Sequence, residues 1–182
     1  MYVAGGSDSH GGGLNDIWAS QDGGTTWRCM AADAPWPRRS APALGAVQGR
    51  PERVVLAGGL GAGACIFQDA WVSEDAGCSW TQMEHPTWAQ TVGRYSAAFL
   101  PTAPWDDDCP GRLLLLGGCF VDGGEGGYAG FERLMHDAWE CELQASAPAA
   151  GTASARWACW GSGSEERGRA WATKGVEAAT CA

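Results

Sequence analysis

Short apolar runs that end in two glycines recur three times along the chain. They are MYVAGG at 1–6, RVVLAGG at 53–59 and RLLLLGG at 112–118. Continuous apolar runs of this length between turn signals are typical of β-strands buried on both faces. No stretch before the C-terminal tail keeps the 3.6-residue period of an amphipathic helix. The pattern therefore predicts short strands joined by tight turns and almost no helix.

Each run is followed by a glycine-rich gap and then by an Asp-x-Trp segment, at 15–18, 68–71 and 136–139. Trp18 and Trp71 lie 53 residues apart, whereas Trp71 and Trp139 lie 68 apart, so the third unit is longer. The segments 38–44 and 94–100 align as a further strand before the second and third runs, and 168–172 is a degenerate third copy. A repeat of about 50 residues with four short strands is the layout of a β-propeller blade.

This arrangement resembles the kelch family over residues 1–160. The matching residues are Gly5, Gly6, Gly58, Gly59, Gly117 and Gly118 in the doublets, Arg38 and Arg94 upstream, and Trp18, Trp71 and Trp139 downstream. The chain departs from the kelch pattern because no tyrosine stands beside or before the final tryptophan. The resemblance implies a structural role for these residues.

Two segments also fit the pattern S-x-D-x-G-x-[ST]-W at repeat spacing. Their matching residues are Ser20, Asp22, Gly24, Thr26 and Trp27, and Ser73, Asp75, Gly77, Ser79 and Trp80. They resemble the Asp-box (BNR) hairpin of sialidases and other propellers. An aspartate can accept hydrogen bonds from backbone N–H groups further along a turn, and glycine supplies a positive φ. We therefore expect both segments to stabilise hairpins and to have no catalytic role.

The predicted fold is all-β, an incomplete β-propeller of about three four-stranded antiparallel blades. The units are a partial first blade at 1–30, a second blade at 36–83 and a third at 88–160 with long insertions. Residues 161–182 are expected to be a poorly structured tail or the first strand of a further blade. Since propellers close with typically 4–8 blades, further blades would come from a longer chain or from another protein.

Charge and composition exclude some classes of partner. The formal net charge is −9 and Lys174 is the single lysine, so we expect neither nucleic-acid nor anionic-membrane binding. The first ten residues lack the pattern of a signal peptide, and the longest apolar run, 113–116, is too short to span a membrane. We expect a soluble chain, and the compartment is not predicted.

The eight cysteines form no C-x-x-C pair, which argues against a zinc knuckle or a thioredoxin-like motif. Their even number suits disulfides, and buried free thiols fit equally well. The histidines His10, His85 and His136 are isolated, and the run Asp106–Asp108 lacks the spacing of a calcium loop. We therefore predict no metal and no cofactor.

A sialidase would need an arginine cluster and a tyrosine nucleophile, and the chain has three scattered tyrosines and no Arg-Ile-Pro segment. Copper chemistry on a kelch propeller would need tyrosine and histidine ligands, which the isolated histidines do not supply. The sequence thus predicts a non-catalytic module that binds a protein or another ligand. The alternatives are part of a secreted sialidase-like propeller that binds or hydrolyses glycans, and a degenerate copy without a function of its own.

The loops that follow the glycine doublets, at 7–14, 60–67 and 119–135, are predicted to emerge on one face. We call this surface the loop face. Its longest loop holds Phe120, Tyr128 and Phe131 among glycines. Exposed aromatic side chains on a repeat scaffold commonly bind partners, so these three are the candidate binding residues.

Overall fold

A computed structural model of the chain describes residues 1–84, 93–102, 112–121, 132–143 and 155–162. Within these ranges the regular structure is β-strand apart from one 3₁₀ turn, Ala62–Ala64. The all-β prediction is confirmed. In the same ranges no helix is long and apolar enough to cross a membrane.

The strands form three antiparallel sheets of three or four strands and one two-stranded ribbon. The first sheet has the order β1-β2-β3, the second β4-β5-β6-β7 and the third β8-β9-β12-β13, while β10 and β11 form the ribbon. The strands are β1 (Tyr2–Ser7), β2 (Gly13–Ala19), β3 (Arg28–Ala31), β4 (Ala43–Val47), β5 (Arg50–Ala57), β6 (Ala70–Ser73), β7 (Thr81–Gln82), β8 (Ala98–Thr102), β9 (Arg112–Leu116), β10 (Cys119–Val121), β11 (Glu132–Leu134), β12 (Asp137–Leu143) and β13 (Ala155–Ser162).

The apolar runs seen in the sequence are the second strands of the second and third sheets. In β5, Val54, Val55, Leu56 and Ala57 are all buried, because sheets pack on both faces of this strand. In β9, Leu113 and Leu115 are fully buried while the residues between and after them are partly exposed. The middle sheet is thus covered on both sides.

The core lies in two layers. Between the second and third sheets, Val55 and Val72 pack with Phe99, Leu113 and Leu115. Between the first and second sheets, Trp36 packs with Leu56, Trp71 and Trp80. The Trp36 and Trp80 rings meet edge to face with centroids 4.4 Å apart. The three sheets therefore stack in sequence order, each packed on the next.

The glycine doublets adopt one backbone conformation in all three sheets. Gly58 and Gly59 have φ of 61° and 111°, in the left-handed region where side chains are strained, and the other two doublets lie within a few degrees of these values. A Cβ on Gly58 would lie 2.2 Å from the carbonyl oxygen of Arg94. The second glycine donates its N–H to that same carbonyl at 2.8 Å. Glycine is required here because two backbones approach closely.

The base of the longest predicted loop contains regular structure that the sequence analysis did not predict. β10 pairs with β11 in antiparallel register, with Cys119 opposite Leu134. The third unit closes with β13, which pairs along β12 and extends to Ser162, two residues beyond the predicted end of the unit. Tyr128, Phe131, His85 and the runs 106–108 and 123–127 lie outside the described residues.

Candidate functional site

The turn after β2 is held by the side chains of Ser20 and Asp22. The Asp22 carboxylate accepts the backbone N–H of Thr26 at 2.9 Å and its hydroxyl at 2.6 Å. The Ser20 hydroxyl donates to Asp22 and accepts the N–H of Gly24, each at 2.8 Å. The Trp27 indole N–H donates to the carbonyl of Gly24 at 3.0 Å. These five residues satisfy the polar groups of the turn locally.

The turn after β6 repeats these bonds with different residues. The Asp75 carboxylate accepts the N–H of Ser79 at 2.8 Å and its hydroxyl at 2.6 Å. Ser73 donates to Asp75 at 2.9 Å and accepts the N–H of Gly77 at 2.8 Å, and the Trp80 indole donates to Gly77 at 3.0 Å. Because the polar side chains of Ser73, Asp75, Ser79 and Trp80 all bond within their own turn, the pair of hairpins has a structural explanation.

These hydrogen bonds lower the pKa of the two aspartates. The hydroxyl and N–H of Thr26, followed by Ser20, lower the pKa of Asp22 to about 2 from 3.8. At Asp75 desolvation acts in the opposite direction, but the bonds from Ser79 and Ser73 outweigh it and its pKa is lowered. Both carboxylates are therefore stabilised as anions that accept hydrogen bonds, which is unsuited to a general acid at neutral pH.

A buried arginine binds the aspartate of the Asp-x-Trp segment in the second sheet. The Arg39 guanidinium makes a two-point contact with Asp69, at 2.6 Å and 2.8 Å, and donates to the Gly58 carbonyl at 2.8 Å. The Arg39 side chain is fully buried. The Trp71 indole donates to the same carboxylate at 2.8 Å. The ring of Phe67 lies 4.1 Å from the guanidinium carbon, so the cation is enclosed by protein groups.

The third sheet contains the same cluster. Arg94 contacts Asp137 at 3.0 Å and 2.9 Å and donates to the Gly117 carbonyl at 3.0 Å, while the Trp139 indole donates to Asp137 at 2.6 Å. Burial alone would raise the pKa of Asp137, but the hydrogen bonds from Arg94 and Trp139 and the arginine's charge lower it. We call each set of arginine, aspartate and tryptophan an Arg-Asp-Trp cluster.

The arginine of the second cluster differs from the one that the sequence alignment selected. That alignment pairs Arg38 with Arg94, but Arg38 is exposed and Arg39 occupies the equivalent position. The backbone sets this register, because Ala41 and Ser96 both have positive φ two residues after the buried arginine. The alignment is thus wrong by one residue in this segment.

Each buried arginine also connects two neighbouring sheets. The side chain of Arg39 bonds within the second sheet, while its carbonyl accepts the N–H of Gly6 of the first sheet at 2.9 Å. The side chain of Arg94 likewise bonds within the third sheet, while its carbonyl accepts the N–H of Gly59 of the second sheet. The arginine segments therefore lie between successive loops, with Ser40 bridging to Leu60.

This arrangement brings the described parts of the loop face side by side. Tyr95, next to the second buried arginine, bridges to Cys119 at the base of the longest loop. The candidate residue Phe120 follows in β10 and is partly exposed. In the first loop, the Asp8 carboxylate accepts the N–H groups of His10 and Gly12 at 2.8 Å and 2.7 Å, which holds that loop in a compact turn.

Two of the three tyrosines lie in the described ranges, and neither is arranged for chemistry. Tyr2 donates its hydroxyl to the carbonyl of Pro51 at 2.8 Å, and Tyr95 is buried. Among the described residues, no three His, Cys, Asp or Glu side chains are placed to hold a metal ion. Five described cysteines are free thiols: Cys29, Cys65, Cys78, Cys119 and Cys141.

No protein-family model matches the chain, and no curated protein matches it.

Proposed function

We propose that the chain is a section of a kelch-like β-propeller with Asp-box hairpins, and that it works as a non-catalytic module that binds a protein or another ligand through its loop face. The three sheets share one glycine-doublet conformation and one Asp-x-Trp hydrogen bond, which supports a common blade-like unit. Both Asp-box hairpins make the same bonds, which supports the proposed resemblance to propellers that carry them.

One observation carries the functional part of the proposal. The buried arginines of the second and third sheets are bonded to carboxylates, Arg39 to Asp69 and Arg94 to Asp137. These groups stabilise the fold and are not presented to a ligand. The parts that differ between units are the loops after the glycine doublets, which the arginine segments hold side by side. Variable loops on a rigid scaffold are the usual place for binding residues.

Site-specific photo-cross-linking tests this surface. A benzophenone amino acid in place of Phe120 samples the loop face, and the same group in place of Trp27 samples the opposite end of the first sheet, in a hairpin exposed to solvent. We expect the probe at position 120 to capture a defined partner from an extract of the source cells, and the probe at 27 to capture none. Capture by both probes alike, or by neither, would contradict the proposal.

Hydrolysis of a fluorogenic sialoside distinguishes the glycan-hydrolysing alternative. The described arginines of the clusters are engaged with carboxylates and Tyr2 with a backbone carbonyl, so we expect no turnover by the full chain. Turnover that is lost in a Tyr2→Phe variant would favour the enzyme instead.

A further inference from the structure

Two neighbouring strands of the third sheet carry the same short pattern, a tryptophan and then a cysteine two residues later. The residues are Trp139 and Cys141 in β12, and Trp157 and Cys159 in β13. The antiparallel register places Trp139 opposite Cys159, and in the same way it places Cys141 opposite Trp157. Every second residue of a strand lies on the same face, so the two cysteines are diagonal neighbours on one face.

This face packs on the second sheet. Trp139 and Cys141 belong to the buried cluster between the two sheets, and Cys141 is fully buried. Trp157 and Cys159 pack against the same cluster. Cys159 is partly exposed, and β13 is the outer strand of the sheet within the described ranges. A small ion can therefore reach the pair of sulfurs from the side of Cys159.

The other two sheets have a cysteine at no more than one of these two positions. Two residues after the tryptophan of Asp-x-Trp they have Ser20 and Ser73, whose hydroxyls accept N–H groups in the Asp-box turns. Opposite that tryptophan they have Cys29 and Gln82. The third unit has no S-x-D segment after its tryptophan, so Cys141 stands where no serine is needed to hold a turn. The repeat itself therefore does not explain the cysteine pair.

The diagonal arrangement of the two cysteines favours a bound metal ion over a disulfide. Diagonal neighbours of an antiparallel pair have Cα atoms about 7–8 Å apart, whereas disulfides join Cα atoms up to about 6.8 Å apart. An ion between two thiolates separates the sulfurs by about 4.6 Å, because each metal–sulfur bond is about 2.3 Å long. Directly bonded sulfurs are only about 2 Å apart. The ion therefore spans the diagonal more easily.

Two thiolates without further ligands select a soft metal ion of low coordination number. A structural zinc site needs four ligands, and in the described part of the chain no third His, Cys, Asp or Glu is placed to complete one. Thiolates bind Cu(I) in preference to harder ions. The two tryptophans pack beside the sulfurs and keep water away from them.

The charges around Cys141 keep its thiol protonated until a metal ion displaces the proton. Burial raises the pKa of the Cys141 thiol, and the charge of Arg53 acts in the opposite direction. Glu140 and Glu142 add to the effect of burial. Binding of a metal ion then releases the proton, and Arg53 partly offsets the charge of the thiolate.

We propose that Cys141 and Cys159 bind one Cu(I) ion between β12 and β13 and so join the outer strand of the third sheet to its neighbour. Binding breaks two S–H bonds, forms two copper–sulfur bonds and releases two protons, which leaves a complex with one negative charge. Copper stays in the Cu(I) state throughout. The site is separate from the loop face, and the inference does not depend on the function proposed for that face.

Competition for Cu(I) between the full chain and the chelator bicinchoninate, without oxygen, tests the proposal. The variants Cys141→Ser and Cys159→Gln each introduce the residue that the second sheet has at that position, Ser73 or Gln82, so we expect both to fold. Each should bind this Cu(I) ion more than about 100-fold more weakly, since changes around metal ligands already cost about 10–100-fold. The control Cys65→Ser removes an exposed thiol of the loop face and should leave the affinity unchanged.

Unchanged Cu(I) affinity in either ligand variant, or an equal loss in Cys65→Ser, would overturn the proposal. A second measurement on the unmodified chain does not depend on the folding of the variants. Cu(I) should slow the alkylation of Cys159 by N-ethylmaleimide more than that of Cys65, as peptide mass mapping would show. Equal rates at Cys159 with and without Cu(I) would contradict the site. A disulfide between Cys141 and Cys159 after exposure of the metal-free chain to air would overturn it too, because directly bonded sulfurs leave no place for the ion.

Discussion

Replacing Arg39 with methionine should strongly destabilise the second sheet, whereas the same change at Arg38 should not. The Arg39 side chain is 0% exposed, and that of its partner Asp69 is 15% exposed. Methionine fills much of the arginine's volume but leaves the carboxylate buried without its cation. Breaking a buried pair in this way costs about 3–5 kcal/mol. Arg38 is exposed, and a surface change of this kind stays within about 0.5 kcal/mol.

Urea unfolding followed by tryptophan fluorescence measures both effects, and a third variant identifies their cause. In Arg39→Met with Asp69→Leu the charge that was left unpaired is absent. We therefore expect the double variant to recover part of the stability lost by Arg39→Met. Similar unfolding free energies for Arg38→Met and Arg39→Met would refute this account of the cluster. So would a double variant whose loss of unfolding free energy equals the sum of the losses in the two single variants.

Three further predictions concern the turns, the cysteines and the glycine doublets. The pKa of Asp22 is lower in the folded chain than in the unfolded chain, so its carboxylate contributes stability above about pH 3.8 and loses that contribution as the pH falls to about 2. Between these pH values the free energy of unfolding should therefore fall less steeply in Asp22→Asn. Burial raises the pKa of the Cys141 thiol, so iodoacetamide at pH 8 should modify exposed Cys65 in the native chain and reach Cys141 only after unfolding, as peptide mass mapping would show. Gly58→Ala should lower the free energy of unfolding much more than Gly49→Ala. Both glycines have positive φ, which costs an alanine about 1–2 kcal/mol, but only at Gly58 would the new Cβ meet a backbone oxygen. Equal losses in the two variants would argue against the close approach of the two backbones.

The sequence was sufficient to predict the all-β class because its signals are local. Apolar runs with glycine doublets mark the strands, and a serine, an aspartate and a glycine within one turn are enough to define its hydrogen bonds. The buried Arg-Asp-Trp clusters were not predicted. In each cluster the arginine comes from one segment and the Asp-x-Trp pair from another, about 30 or more residues away, so only the folded chain brings them together.

The one-residue error in the alignment has a physical explanation. Matching letters placed Leu44 with Leu100, whereas in the structure Leu44 corresponds to Phe99, which is buried, and Leu100 is 48% exposed. A shift of one residue in a strand moves every side chain to the other face. Alternation of the buried face, rather than letter identity, would have paired Leu44 with Phe99 and therefore Arg39 with Arg94.

The double role of the buried arginines has a consequence for how the chain loses its structure. The side chain of Arg94 belongs to the third sheet and its carbonyl to the second, and Arg39 joins the second sheet to the first in the same way. A sheet that opens releases an arginine segment and so removes hydrogen bonds from its neighbour as well. The repeats are therefore thermodynamically coupled at their boundaries, and we expect them to melt in one cooperative transition instead of one at a time.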